Sequence, residues 1–564
     1  MREEYIDLME KTLAAYTDKH IFHYFNKVQK DGLTEHGFPR LTANIGILIA
    51  NGRRIDLLPI FLKMMEYCCK TIPKVRAAND FSVREMISCI TELEKSKAVA
   101  YDDIAYWKNC LSSIEPNQCY SVFATSPTDK PNNWALFTCV SEYFRQSKGL
   151  CCSDDFIDVQ IASQLQRFDE NGMYKDNDNT LEDIHHPIAY DLVSRMLFSL
   201  LLDAGYQGKY LDKIDKILQK AGLFTLNMQS VIGEMAFGGR SNQFLHNEAC
   251  LAAIFEYEAK RYQRKGELLL AGRFKAAALS AAQCIASWLS KTPISHIKNR
   301  FSVDKHFGCE PYAYFDKYMT TTASFIYAAY LFCDDAIMPL NADEEGMVWH
   351  TSKHFHKTFV KCAGYSLEFD TNADHNYDAN GLGRIHKAGA SGVICLSAPF
   401  AKKPNYKTNG YENKSSFSIC PAIKNAQGEW LYASDSAVVY TLTFENTKEN
   451  MVQVGFTCKF ADGRKVEFIC TIDEKGVFVC VNGEKEQELG ICLPIFMFDG
   501  EKYAKITEAA GKILVEYDGW ICEYQAEDIQ NLNVDIVNRN GAYKCYLANG
   551  MGETAVRIKI YPCV

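Results

Sequence analysis

Four stretches of the sequence gather side chains able to hold an acidic ligand and move a proton beside it. Pro131-Asn132-Asn133-Trp134 opens an amphipathic segment. One carboxamide there can cap the helix by accepting from a free backbone N–H, which leaves the other to face a ligand. The stretch Glu234 to Glu248 crowds Gly238, Gly239, Arg240, Ser241, Asn242 and His246 ahead of an apolar run. With a helix starting near Ser241, Asn242 and His246 share a face by the four-residue rule, and the two glycines let the backbone bend close to a ligand. A capped helix carrying a satisfied core histidine is the plainer alternative. The stretch Asp304 to Tyr318 holds Tyr312, Tyr314 and Tyr318. Pro311 suits a first helical turn, so Tyr314 and Tyr318 fall four apart on one face, as core residues or as phenols able to give or take a proton. Asp374 to His386, with His375 and Arg384, reads as a loop between strands that is either solvated or closes over a cavity mouth.

These residue types suit abstraction of a proton next to a carboxylate. The intermediate carries two negative charges unless hydrogen bonds or cations offset one of them. Asn133 and Arg240 can supply that offset. Tyrosine, with an ordinary pKa of about 10, serves as a base at neutral pH only if it is lowered, and a nearby arginine lowers it. Arg240 is the first candidate, with Arg195 and Arg384 in reserve. A rival chemistry, glycoside hydrolysis, needs two carboxylates across the scissile bond, for which Asp191, Glu234, Glu248 and Glu310 are available. A non-catalytic carbohydrate-binding protein is the third reading.

No metal or cofactor is expected. Phosphate-binding glycine loops, His-Glu-x-x-His and Gly-x-Ser-x-Gly are all missing from the sequence. The adjacent His185 and His186 diverge on a helix, although His354 and His356 would share a strand face, which leaves a structural zinc open.

Stepping from these clusters to the elements that carry them, apolar residues recur every three or four positions from Met1 to about Asp335. The spacing predicts helices over 3–16, 55–71, 82–96, 102–113, 133–147, 154–168, 187–204, 210–223, 242–264, 268–290 and 311–333. After about Asn341 the period becomes two, as in Lys357–Cys362, Gly392–Leu396, Met451–Phe456, Lys465–Cys470 and Gly476–Cys480, and Asp462-Gly463 and Asn482-Gly483 read as hairpin turns. The fold class expected is a multidomain α+β chain. An N-terminal (α/α) toroid over residues 1–340 precedes a C-terminal antiparallel β-sandwich over 341–564.

The chain has 564 residues, 61 Lys plus Arg against 70 Asp plus Glu, and a net charge of −9. It has no basic run, which argues against nucleic acid as a partner. The start lacks a basic segment followed by an apolar one, and no run approaches the roughly 18 apolar residues of a membrane span. A cytoplasmic protein with no membrane partner is expected. The 22 cysteines show no Cys-x-x-Cys and read as reduced, mostly buried thiols.

A helical toroid followed by a β-sandwich, with Asn-Asn-Trp at Asn132–Trp134 opening a mid-toroid helix, resembles the heparinase II/III-like and oligoalginate lyase group of polysaccharide lyases. The likeness spans the architecture of almost the whole chain, and its local motifs are short. It implies β-elimination on a uronic-acid-containing, acidic oligosaccharide. Asn133 would neutralise the C5 carboxylate, with His246 and Tyr312 or Tyr314 as base and acid. Trp134, Arg240, Asn242, Tyr318, His375 and Arg384 would surround the substrate, His375 standing for a histidine that the β domain contributes. The chain lacks the His-x-His-x-Asp pattern around His375. In a cytoplasmic enzyme, the substrate would be an imported oligosaccharide.

Overall fold

The computed structural model describes residues 1–125, 132–176, 183–341 and 346–563. Its first half is a ring of helices. Gly37–Ala50, Val83–Ser96, Asn133–Ser147, Ile188–Asp203, Leu245–Arg264 and Phe315–Phe332 each pack on the next, and the last packs back on the first. These six form the inner wall. Helices that are buried on nearly every side must be apolar nearly all round, and Gly37–Ala50 and Ile188–Asp203 are, apart from a few polar residues. The outer helices bury one face only. Leu211–Met228, for example, buries Ile214, Leu218, Ala221 and Thr225 at helical spacing. Leu58–Thr71, Asp154–Leu165, Leu211–Met228 and Leu268–Leu289 each lie against an inner helix adjacent in sequence, and Arg2–Leu13 packs on Phe315–Phe332 where the ring closes.

Leu268–Leu289 is the one described helix long and apolar enough to cross a membrane. It packs along Leu245–Arg264, and Lys275 in its middle is fully buried against Glu256, with Nζ 2.8 Å from Oε2. Its apolarity belongs to the toroid wall.

Most helix bounds fall within a few residues of those predicted, and Asn133–Ser147 matches at both ends. Two long helices were not foreseen, Asp18–Asp31 and Gly37–Ala50, nor were the short ones Pro116–Cys119 and Val122–Thr125. The second long one contains Pro39 and Gly46 and has no polar face, so it offers neither periodicity nor clean punctuation. Gly46 is there because a Cβ would collide with Cys89 and Phe61. Two helix starts lie later than predicted, at Leu245 rather than Asn242 and at Phe315 rather than Pro311.

The second half is antiparallel sheet. Strands β1 (Met347–His350), β2 (Lys357–Cys362), β3 (Tyr365–Asp370) and β4 (Gly381–Lys387) form a sheet in that order. It is followed by an eight-stranded and a five-stranded sheet that pack together. Asp462-Gly463 does turn the hairpin between Met451–Lys459 and Lys465–Asp473. Asn482-Gly483 joins no hairpin, since Gly476–Asn482 pairs with Lys465–Asp473 and Glu553–Pro562. The segment Gly392–Leu396 makes only an isolated bridge, Ile385 to Leu396, and not a strand. All 22 cysteines are free, and most are buried.

The toroid and the first sheet are joined by a chain of buried charges. Lys357 on β2 meets Asp370 at 2.9 Å and Glu368 at 3.3 Å on β3. Glu368 meets Arg384 on β4 at 3.1 Å, and Arg384 reaches Glu234 of the toroid at 3.8 Å. Lys298 then holds Glu234 and Glu248, each at 2.9 Å. His386 of β4 joins the same junction through the hydroxyls of Ser397, at 2.7 Å, and Ser230, at 3.2 Å. Burial, with Arg384 beside it, pushes the His386 imidazole down to about 3.

Burial likewise lowers His246 to about 3 and His296 to about 4. Below the ordinary histidine value of about 6.5 the unfolded chain therefore binds protons that the folded chain refuses, and stability must fall with pH. Between pH 6.5 and pH 5 the loss is up to about 2 kcal/mol for each such histidine. Urea unfolding across that interval should show it, and replacing His386 by Gln should flatten the dependence.

Candidate active site

The N-terminal turns of the inner helices converge on one cavity of about 270 Å³. Its wall takes His36 and Arg40 from the start of Gly37–Ala50, Asn133 and Trp134 from Asn133–Ser147, and Tyr190 from Ile188–Asp203. His246 opens Leu245–Arg264, and Lys317 and Tyr318 open Phe315–Phe332. Each helix start carries roughly half a positive charge, so this end of the toroid favours an anion before any side chain is counted. Arg40 and Lys317 add to that field. Among the described residues, no carboxylate lines the cavity.

The two adjacent asparagines divide their work. Asn132 caps the helix, its Oδ1 accepting from the N–H of Trp134 at 3.0 Å. Asn133 faces the cavity and donates through Nδ2 to Asp176 Oδ1 at 3.1 Å, while Arg240 donates to the other oxygen of Asp176 at 3.0 Å. Trp134 and Phe137 sit edge-on to Phe81, each at 4.7 Å between ring centroids, and make the apolar wall.

Opposite stands a cluster of phenols gathered by one hydroxyl. Ser241 Oγ lies 2.9 Å from the Tyr190 hydroxyl, 3.0 Å from that of Tyr312 and 3.2 Å from that of Tyr318. Ser241 holds this place in a left-handed backbone conformation, φ 58°, between Gly239 at 71° and Gln243 at 64°. That conformation costs about 1 kcal/mol or more for a residue with a Cβ, and the surroundings impose it. The N–H of Ser241 donates to Glu310 Oε1 at 2.7 Å, and Arg539 grips the same carboxylate at 2.6 and 3.1 Å. Arg539 sits at the tip of the hairpin between strands Ile529–Asn538 and Gly541–Met551. Beside it, Asn540 donates to Gln243 Oε1 at 3.1 Å and to the Lys298 carbonyl at 3.0 Å. The Gly239 N–H donates to Asp378 at 2.6 Å. The sandwich therefore shapes the toroid loop that carries the site.

Electrostatics separate the two kinds of proton carrier. Burial, with Arg40 nearby, holds His246 neutral, and its Nδ1 has no hydrogen-bond partner. Burial, with Tyr190 and Glu310 nearby, pushes the Tyr312 phenol above its ordinary value, and Tyr318 is raised in the same way. Arg240 lies 4.9 Å over the ring of Tyr190, whose phenol is still raised because burial outweighs the arginine. The expected arginine-lowered tyrosine base is therefore not found: all three phenols are protonated at neutral pH.

Of the residues singled out from sequence, Asn133, Trp134, His246, Tyr312 and Tyr318 line the cavity, and Arg240 adjoins it through Asp176. Tyr314 does not. It precedes the helix in extended conformation, 49% exposed, with its ring against His306. Asn242 lies behind the loop, donating to the Ala236 carbonyl at 3.1 Å, because the helix begins after it. Arg384 is committed to the buried junction. His375 sits outside the cavity, with Nε2 buried and unpartnered.

Arg195 is occupied by Asp191, at 2.5 and 2.9 Å. Glu234, Glu248 and Glu310 are held by Lys298 and Arg539 as described. His356 is bound to Asp370 at 2.5 Å and His354 to the Asp183 carbonyl at 3.0 Å, and no group of metal-ligating side chains is assembled among the described residues. Sequence reasoning missed His36 and Arg40, which carry no motif, and took Ser241 and Lys317 only as members of the stretches around them.

No family model and no curated protein matches the chain. Among solved structures, a crystal structure titled heparinase III aligns over 85% of this chain and 76% of its own, at 10% identity and a TM-score of 0.39. Heparan sulfate lyase HepC from Pedobacter heparinus aligns over 89% and 75%, at 10% identity and 0.34. A glycosyl hydrolase family 88 protein from Bacteroides vulgatus aligns over 59% and 98%, at 11% identity and 0.36. The fold of this chain, from its own coordinates, is an α/α toroid followed by antiparallel sheets packed as a sandwich.

Arg539→Met should leave Glu310 buried without its cation and cost about 3–5 kcal/mol of stability. Changing Glu310 to Met in the same chain should restore most of it. Denaturant unfolding of the single and double variants measures both.

Proposed function

We propose that the protein is a lyase that cleaves uronic-acid-containing oligosaccharides by β-elimination, working on oligosaccharides imported into the cytoplasm. The observation that carries this reading is the pairing, in one anion-favouring cavity that no carboxylate among the described residues lines, of a neutral imidazole with protonated phenols. Hydrolysis by paired carboxylates needs two of them about 5–9.5 Å apart across the bond, and the candidates for that role are each held by a cation elsewhere.

In the proposed reaction the uronate carboxylate lies toward Asn133, with Arg40 and Lys317 contributing to its field. Hydrogen bonding to the carboxylate offsets the second negative charge that builds up as C5 loses its proton. His246 takes that proton. Its imidazolium is disfavoured in the empty cavity, and the anionic substrate beside it raises its basicity by the same Coulomb attraction that stabilises any cation near an anion. The electron pair forms the C4–C5 double bond as the C4–O bond breaks. Tyr312 donates its proton to the departing oxygen, and Ser241, Tyr190 and Tyr318 share the phenolate charge through their hydroxyls. Solvent then returns a proton to Tyr312 and removes one from His246.

Ultraviolet absorbance during incubation with a panel of uronic-acid oligosaccharides tests the reading, since elimination creates a conjugated double bond. A rise in the wild type should fall at least a hundredfold in Asn133→Ala, His246→Gln and Tyr312→Phe. Tyr314→Phe should leave it within about twofold, as expected for an exposed residue away from the site. New reducing ends without absorbance would overturn the lyase in favour of a hydrolase. Tight binding without turnover would favour a sugar-binding protein.

A further inference from the structure

A second cleft, of about 390 Å³, lies where the toroid meets the sheets. Its walls come from the second half of the outer helix Leu268–Leu289, the segment leading into Glu234, and the chain that follows β4. The start of strand Trp520–Gln525 closes it. Trp288 from the helix and Trp520 from the strand bring two indoles to one space, and the exposed Gln283 and Ser287 add a carboxamide and a hydroxyl. No described residue accepts from either indole N–H. None of these residues adjoins an undescribed segment of the chain.

Glu234 also lines the cleft, although the residue is only 1% exposed. Its Oε2 accepts from Lys298 at 2.9 Å, while no described residue donates to Oε1. Gly392 leaves that oxygen uncovered, since a Cβ there would stand 3.2 Å from it. Burial works against ionisation of Glu234, but the Lys298 ammonium outweighs it and holds the carboxyl below the ordinary range. An ionised carboxylate only accepts, so whatever meets Oε1 must donate. The other charges are already matched: Lys291 lies 3.6 Å from Asp518 and 4.1 Å over the Trp288 ring, and Lys502 reaches Asp518 at 2.8 Å. With its charges paired, the cleft favours neither an anion nor a cation.

We propose that this cleft is a second ligand site that binds a neutral sugar ring, with one face of the ring against the tryptophans and a hydroxyl donating to Glu234 Oε1. A pyranose carries C–H groups on its faces and hydroxyls at its rim, which suits an aromatic wall beside a lone acceptor. Covering Oε1 with a ligand that cannot donate would strand a buried carboxylate oxygen, so the hydroxyl that reaches it sets the specificity. The volume falls within the roughly 300–1,000 Å³ of small-molecule sites. The site shares no lining residue with the central cavity. The proposal does not depend on the reaction assigned there.

Calorimetric titration of the full chain with the methyl glycosides of glucose, galactose and mannose tests it. Saturable binding of at least one is expected, weakened at least tenfold by Trp520→Ala. Ser287→Tyr should weaken it as much by filling the cleft from an exposed helix position, where the change spares the core. Trp134→Ala, in the central cavity, should leave it within about twofold. A second readout changes the ligand and not the protein. Among the monodeoxy forms of the glycoside that binds, one should lose at least tenfold, because the missing hydroxyl leaves Oε1 unpaired. Absence of saturable binding by all three glycosides overturns the proposal, and binding of choline in their place would assign the cleft to a cation. Loss in Trp134→Ala with none in Trp520→Ala or Ser287→Tyr would put the sugar in the central cavity. Equal binding of every monodeoxy form would remove Glu234 from the site and overturn the proposal too.

Discussion

The loop from Glu234 to Phe244 cannot hold its shape alone, and the site depends on that shape. Gly239, Ser241 and Gln243 all lie in left-handed backbone conformations, and a free chain would leave them. Buried charge prevents this from several directions. Lys298 fixes Glu234 at the start of the loop, Asp378 takes the Gly239 N–H, and Glu310, gripped by Arg539, takes the N–H of Ser241. Buried ion pairs of this kind contribute little net stability compared with apolar packing, but breaking one is costly. Their effect here is to make one backbone geometry far better than its neighbours. The hydroxyl that collects three phenols is the result.

The ring supplies what the loop cannot. Alternating outer and inner helices bring all the inner helix starts to one end of the toroid, so the positive helix ends meet at the cavity while their negative ends face away. Cationic side chains on those first turns reinforce the field, and the carboxylates near them are engaged with cations behind the wall. The cavity can therefore attract an anion without a metal-like cluster of charge, and it keeps its imidazole neutral and its phenols protonated chiefly through burial, with neighbouring charges acting in the same direction.

The architecture was largely legible because its two periods, 3.6 and 2, are physically tied to helix and strand and change near residue 341. The residues of the cavity were legible in part. Asn133, His246 and Tyr312 stand in dense polar clusters that an apolar helix does not otherwise tolerate. His36 and Arg40 gave no signal, since one cation on an otherwise apolar helix looks like a surface residue until the ring closes around it. Tyr314 and Asn242 failed for a single reason. Both were placed by assuming a helix start, and starts are set by tertiary contacts such as the Ser241–Glu310 bond that no local pattern records. The Glu310–Arg539 pair spans 229 residues and leaves no trace in local sequence.

That span has a consequence for synthesis. A ribosome finishes the whole helical ring long before it reaches Arg539, and domains generally fold in the order in which they emerge. For the time it takes to translate some 200 residues, the ring exists with its loop ungoverned and its phenols ungathered. Loss of the late hairpin would leave Glu310 without Arg539 and the Ser241 loop without that hold. The clamp thus ties the geometry of the toroid loop to a hairpin translated about 200 residues after the ring.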